Sequence, residues 1–187
     1  ASTVIHEAYT DDAKYDDEYD LSKQILGTVE YEGQTYELIS KSGSAVSGTV
    51  KGDVEITLVY SLDADEDTTP DKYEATVTYE VVNGTFAEGE TTVTQEYVLA
   101  EENEEDGTWT EATRYLENIP VPTANEGYGN GGWDVTPTTE TVVEDGAKYT
   151  YTYTANDQTL RVNYVMDDEA STVIHEAYTD DAKYDDE

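Results

Sequence analysis

The segment ASTVIHEAYTDDAKYDDE occupies residues 1–18 and returns, without a single change, as residues 170–187. Chance does not give such identity, and a diverging duplication leaves substitutions behind. The repetition predicts a tandem array with a period of 169 residues, of which this chain is one period plus an overlap. Self-similarity at a fixed period marks repeat architectures, where each unit stabilises itself and its contact with a neighbour. Function is then expected from what an array does: span distance, present copies or build a fibre.

The chain has 187 residues, 36% of them hydrophobic, enough for one larger domain or two small ones. Its 9 Lys and Arg stand against 44 Asp and Glu, a net charge of −35. That charge repels DNA, RNA and anionic membranes, so nucleic-acid binding and membrane insertion are not expected. It also opposes direct contact with sialylated or sulfated glycans unless divalent cations bridge the two surfaces. A solvated, non-sticky surface is the simplest reading. High charge can also signal disorder, but 17 Tyr, 2 Trp and alternating β-branched runs argue for a packed core. The absence of cysteine removes disulfides, thiolate catalysis and Cys-ligated metals. No apolar run approaches the roughly 20 residues of a membrane helix, and no secretory leader is visible.

Period-2 alternation dominates and predicts strands. Val54, Ile56, Leu58 and Tyr60 alternate with Glu55, Thr57 and Val59; Val77, Tyr79 and Val81 with Thr76, Thr78 and Glu80; Tyr149, Tyr151 and Tyr153 with Thr150, Thr152 and Thr154; and Leu160, Val162, Tyr164 and Met166 with Arg161, Asn163 and Val165. Further strands are expected at 26–32, 34–40, 91–99 and 140–143. Glu32-Gly33, Lys51-Gly52-Asp53, Asn83-Gly84, Asp106-Gly107 and Asp145-Gly146 read as turns. Short helices are expected only at Tyr19–Ile25 and Glu111–Asn118, with Asp20 and Thr110 as N-caps. The fold class is therefore mainly β: two small β-rich modules in tandem, β-grasp-like or sandwich-like, with little helix. The expected divisions are a module at 1–62 lacking its leading strand, an acidic linker at 63–72, a second module at 73–158, and the start of the next repeat at 159–187. Strand 159–166 is expected to belong to the sheet of a unit like 1–62, in the next repeat or in a second chain.

Two stretches carry a resemblance. VNYVMDDE, YDDEYDLSK, YELISKSG, VSGTV and GDVEITLVY, read across the repeat junction, resemble the mucin-binding-protein repeat. Where that family often has Gly before Tyr19, this chain has Asp17 and Glu18. TVTYEVVNGTFAEGETT, IPVPTANEGY, GGWDVTPTTE and KYTYTYT are similar to the SHIRT and related stalk repeats of Gram-positive surface adhesins. The resemblance implies an extracellular, cell-surface or cell-wall-attached tandem-repeat protein. It does not imply that this copy binds mucin.

Few motifs suggest chemistry. Asp63, Asp65 and Asp67, with Glu74 at the twelfth position, echo the spacing of a calcium loop. Thr68 replaces the usual Gly, Pro70 intervenes and strands flank the segment, so a solvated acidic linker competes with that reading. The acid-rich runs at 11–20 and 101–106 read as charged loops. His6, repeated as His175, has no nucleophile at a suggestive spacing, and no catalytic or cofactor-binding residue is expected. Trp109, Trp133 and the tyrosines read as packing before sugar-stacking. Asn83-Gly84-Thr85 reads as a turn before a glycosylation site. Lys72 and Lys148 are the candidates for an isopeptide bond, without a motif to mark them.

The sequence thus predicts a non-enzymatic structural unit of a surface stalk or fibre, partnered head-to-tail by copies of itself. The alternatives are an adhesin module for a host glycan or protein, and a filament subunit that polymerises by strand complementation through 159–187. In the last case Leu160, Val162, Tyr164 and Met166 form the assembly strand.

Overall fold

A computed structural model describes residues 3–167 and 171–185. In chain order its strands are β1 (Glu18–Asp20), β2 (Thr28–Tyr31), β3 (Gln34–Gly43), β4 (Ser47–Thr49), β5 (Ile56–Asp63), β6 (Glu74–Val82), β7 (Gly84–Thr85), β8 (Thr92–Val98), β9 (Ala100–Asn103), β10 (Thr108–Glu111), β11 (Thr123–Ala124), β12 (Tyr128–Trp133), β13 (Ala147–Ala155), β14 (Asp157–Val165) and β15 (Val173–Lys183). Among the described residues the only helical elements are 3₁₀ turns at Ser22–Gln24, Asp71–Tyr73 and Ala87–Gly89. The protein is mainly β, as its alternation requires.

The chain divides into two compact units. The first is Ala1–Thr76, Glu96–Tyr115 and Val142–Asp145; the second is Val77–Gln95, Leu116–Thr141 and Gly146–Glu187. Each draws on separated stretches, whereas the sequence suggested contiguous modules at 1–62 and 73–158. The physical reason in the first unit lies in the β9–β10 hairpin. Its Trp109 stacks on Tyr73 at 5.7 Å, and Asp106 in its turn pairs with Lys41 of β3 at 2.8 Å.

The first unit is built on the antiparallel sheet β2-β3-β5. Tyr31 faces Gln34 across a two-residue loop in which Glu32 (φ 52°) and Gly33 (φ 77°) are both left-handed. Such a turn matches the twist of its strands, so Glu32-Gly33 closes the hairpin as the sequence suggested. Val29 and Leu38 are buried beneath this sheet. Gly43 ends β3 at φ 105°, where any side chain would overlap the Glu55 carbonyl. β1 pairs with β4, and the pairing continues outward: Asp16 N–H donates to the Val50 carbonyl (2.9 Å), and Val50 N–H donates to that of Asp17 (2.8 Å).

The second unit contains the sheet β12-β13-β6-β8, with β13 parallel to β6 and Tyr149 opposite Tyr79. The alternation of β6 places Ala75, Val77, Tyr79 and Val81 in the interior. Tyr79 is fully buried, stacks on Tyr149 at 5.6 Å and meets Trp133 edge-on at 6.2 Å. Offset aromatic contacts of this kind add to the hydrophobic term. Gly131 lies against the rings of Tyr151 and Tyr153, leaving no room for a side chain. β14 and β15 form a separate two-stranded antiparallel ribbon.

Several expectations change. Tyr19–Ile25 contains the end of strand β1 and one 3₁₀ turn; Asp20 nevertheless accepts a hydrogen bond from Ser22 N–H (2.9 Å). Glu111–Asn118 is not helical: Thr110 lies inside β10, and Tyr115 bridges to Val142. The stretch 140–143 contributes that single bridge rather than a strand. The acidic segment 63–72 is not an open linker, because Asp63 is 1% exposed and organises the loop that follows. The strand foreseen at 159–166 is β14, and its partner is the second copy of the repeat rather than a strand of 1–62.

Burial separates core strands from the ribbon. Tyr79→Ala is expected to cost about 3–5 kcal/mol in chemical denaturation, whereas Leu160→Ala, on the exposed β14, changes stability by no more than about 0.5 kcal/mol. Equal losses for the two would contradict the assignment of β14 to a surface ribbon.

Candidate functional site

The ribbon starts from an alternating sequence that finds no core. Every residue of β14 is exposed, and Leu160, Val162, Tyr164 and Met166 are 56%, 48%, 42% and 51% exposed. The first three lie on β14 itself. Met166 sits just beyond it and donates its N–H to the Thr172 carbonyl (2.7 Å). Across the ribbon Val162 faces Tyr178, and Tyr164 faces His175 with the two rings edge-to-face at 5.0 Å. Two register shifts on the β15 side break the ladder between Val162 and Val165. An isolated two-stranded ribbon is marginal in water, and an exposed run of apolar side chains marks an interaction surface.

One end of the ribbon is anchored. Tyr184, just after β15, lays its ring over Gly127, whose φ of 83° and lack of a side chain make the seat. The same ring meets Tyr128 edge-to-face at 5.5 Å, and Tyr184 N–H donates to the Asn156 carbonyl (3.0 Å). The Tyr128 hydroxyl donates to the Asp185 carboxylate (3.0 Å), and that bond is the main reason the phenol titrates above its ordinary value. Sequence reading did not identify Gly127, Tyr128, Asn156 or Tyr184. No signal in the sequence marks the seat, because Tyr15 and Tyr184 have the same neighbours.

The two copies of the repeat can be compared directly, apart from residues 1, 2, 170, 186 and 187, which lie outside the described residues. Their internal hydrogen bonds match. His6 Nδ1 meets the Glu7 carbonyl at 2.9 Å, as His175 meets that of Glu176. The Tyr9 hydroxyl donates to Asp11 (3.1 Å), as that of Tyr178 donates to Asp180 (3.0 Å). Asp12 N–H donates to the Asp11 carboxylate (2.9 Å), as Asp181 N–H donates to that of Asp180 (3.0 Å). Asp16 and Asp185 share a left-handed φ, 74° and 64°. The surroundings differ. Residues 173–183 are a strand on β14, while residues 3–15 belong to no strand. Tyr15 is 70% exposed, with the Lys51 ammonium 4.9 Å above its ring, where Tyr184 has its seat on Gly127. The first copy therefore carries the local shape of β15 without a partner strand.

The acidic loop lies in the first unit. The Asp63 carboxylate accepts the N–H groups of Asp67 (3.3 Å) and Thr68 (3.0 Å), and Asp71 accepts that of Ala64 (2.8 Å). The loop brings carboxylate oxygens of Asp63, Asp65 and Asp71, and of Asp65, Asp67 and Glu74, within 4.8 Å of one another. Asp63, Asp65 and Asp67 are thus neighbours, but split between two overlapping groups, with Asp63 already satisfied by backbone. Loss of hydration, then repulsion from Asp65, Asp67 and Asp71, pushes Glu74 above its ordinary value; loss of hydration and then Asp67 do the same to Asp65. Asp106 moves the other way, down to about 2, because Lys41 and then Thr108 hydrogen-bond its ionised form.

The remaining candidates have packing roles. Trp109 and Trp133 are engaged with Tyr73 and with Tyr79 and Tyr151. Asn83 donates its amide to the Tyr153 carbonyl (3.0 Å). Lys148 pairs with Glu80 at 2.7 Å, and Lys72 lies 4.4 Å above Tyr73. No helix among the described residues is long and apolar enough to cross a membrane. Comparison of the chain with protein-family models, with curated proteins and with solved structures finds no match.

The carboxylates give opposite pH signatures. A raised acid holds its proton longer in the folded state, so its ionisation weakens the fold as pH climbs past the ordinary carboxylate value. Glu74→Gln should therefore raise the melting temperature near neutral pH, and the gain should vanish once Glu74 is protonated in both states. Asp106→Asn should lower it near neutral pH, with the deficit closing as pH falls from 3.8 to about 2. Thermal melts of each variant against the parent across pH read both signs; like signs would contradict the assigned causes.

Proposed function

We propose that this chain is a structural unit of an extended, extracellular stalk or fibre that spaces or links what lies at its ends. The observation that carries this reading is the ribbon. One copy of the repeated segment is taken up by a strand that contributes to no core, while the identical copy stands ready on the first unit. A connecting element made from a repeated sequence is what an array needs between like units. Small cores suit the same role, since length then grows by adding units and each core serves only its own unit and neighbour. The negative charge keeps neighbouring fibres apart and suppresses adventitious binding. The resemblance to mucin-binding-protein and stalk repeats agrees with this reading and with a cell-surface location. Nothing in the arrangement of His6, the carboxylates or the aromatic side chains favours an enzyme.

The test is a covalent two-period protein sharing one copy of the segment between Met166 and Tyr19. Small-angle scattering should show the maximum dimension growing in proportion to the number of periods, and the melting temperature should stay that of one period. A compact particle with a single, more cooperative transition would contradict the stalk.

A further inference from the structure

β14 selects its partner by backbone pairing and by the side chains opposite it, and this chain contains that partner twice. Residues 4–14 repeat the sequence of β15 and already hold its internal hydrogen bonds, but have no strand beside them. We propose that β14 of one copy of this chain pairs with residues 4–14 of a second copy, in the register it uses for β15. Val162 then faces Tyr9, Arg161 faces Thr10, Tyr164 faces His6 and Val165 faces Val4, by transfer of the β14–β15 register. Tyr15 takes the seat of Tyr184 on Gly127, and Asp16 accepts the Tyr128 hydroxyl as Asp185 does. Tyr15 is largely exposed, and to take that seat it and Asp16 need only give up Lys51, whose ammonium lies over the Tyr15 ring and pairs with the Asp16 carboxylate. Asp16 also donates its N–H to Val50, so the second copy's first unit follows directly on the junction.

The contact is heterologous: the strand that gives and the segment that receives are different surfaces, so each copy can give to one neighbour and receive from another, head-to-tail. It deepens the proposed function, and rests on that reading, by naming the partner as a second copy of this chain. Within one chain β15 competes at an effective concentration in the millimolar range. The intact protein therefore keeps its own ribbon closed when dilute. Like charge opposes association, so assembly strengthens as salt screens it.

The full-length chain carrying Tyr178→Pro and Thr179→Pro tests this. Adjacent strand residues point their N–H groups to opposite sides, so one of the two prolines removes a donor facing β14. Sedimentation velocity at moderate salt should show the parent as a monomer and this variant as concentration-dependent chains. Adding Tyr9→Pro and Thr10→Pro should return it to a monomer, and a peptide of residues 3–18 should cap the chains formed by the first variant. Near-ultraviolet circular dichroism reports that the packing around Tyr79 and Trp133 is intact in each. A double variant that stays monomeric at every concentration with that signal unchanged overturns the proposal, because its β14 then stays empty or takes its own chain's first copy. Chains that persist in the quadruple variant overturn it too. Failure here with an elongated two-period protein removes only the strand exchange and leaves the stalk.

Discussion

Backbone N–H and C=O groups that leave water must find partners, and with only three short 3₁₀ turns among the described residues nearly all of them must be found on neighbouring strands. That requirement shapes the whole molecule. In the first unit it is met by β2-β3-β5 and the β1–β4 pair, and in the second by the sheet that threads β6 beside β13. Among the described residues β14 and β15 pair only with each other, as a two-stranded ribbon. The repeated segment shows the requirement most directly. The same residues with the same internal hydrogen bonds become a strand beside β14 and remain outside any strand at the other end of the chain. Local preference gives the extended shape, and only a neighbour makes it a sheet.

Electrostatics do little to hold the units together. Lys41 with Asp106, Lys148 with Glu80 and Arg114 with Glu101 are at least partly exposed, and exposed pairs contribute little. At Asp65 and Glu74 loss of hydration, and behind it repulsion from neighbouring carboxylates, raises the acids and works against the fold. Stability must come from packing, in which aliphatic side chains such as Val29, Leu38, Val77 and Leu116 are joined by stacked rings: Tyr79 between Tyr149 and Trp133 in one unit, Tyr73 on Trp109 in the other.

Much of this was legible from residue order. Alternation located β5, β6, β13 and β14, and Glu32-Gly33 marked its hairpin, because period and turn chemistry are local. The stretch Glu111–Asn118 misled because its composition permits a helix, while Tyr115 is held extended by its bridge to Val142, a distant contact. Asp63 looked like a solvated linker acid, yet it is buried because the N–H groups of Asp67 and Thr68 fold back on it. The candidate site was half visible. The repeat and the apolar side of β14 could be read, but alternation does not say whether an apolar face is covered. The Tyr184 seat on Gly127 could not be read, since Tyr15 has the same neighbours in sequence and a different fate. No local rule separates two identical segments.

That identity also supplies the most direct measurement. Amides in residues 4–14 and 173–183 have the same neighbours, hence the same intrinsic exchange chemistry, so any difference in hydrogen exchange reports pairing alone. In a dilute sample of the intact chain, alternate amides of 173–183 should be protected while their counterparts in 4–14, apart from Asp12 and Lys14, which donate to carboxylates, exchange at the rate of open chain. Equal protection of the two copies would contradict the account, since it would mean that β14 does not decide which of them becomes a strand.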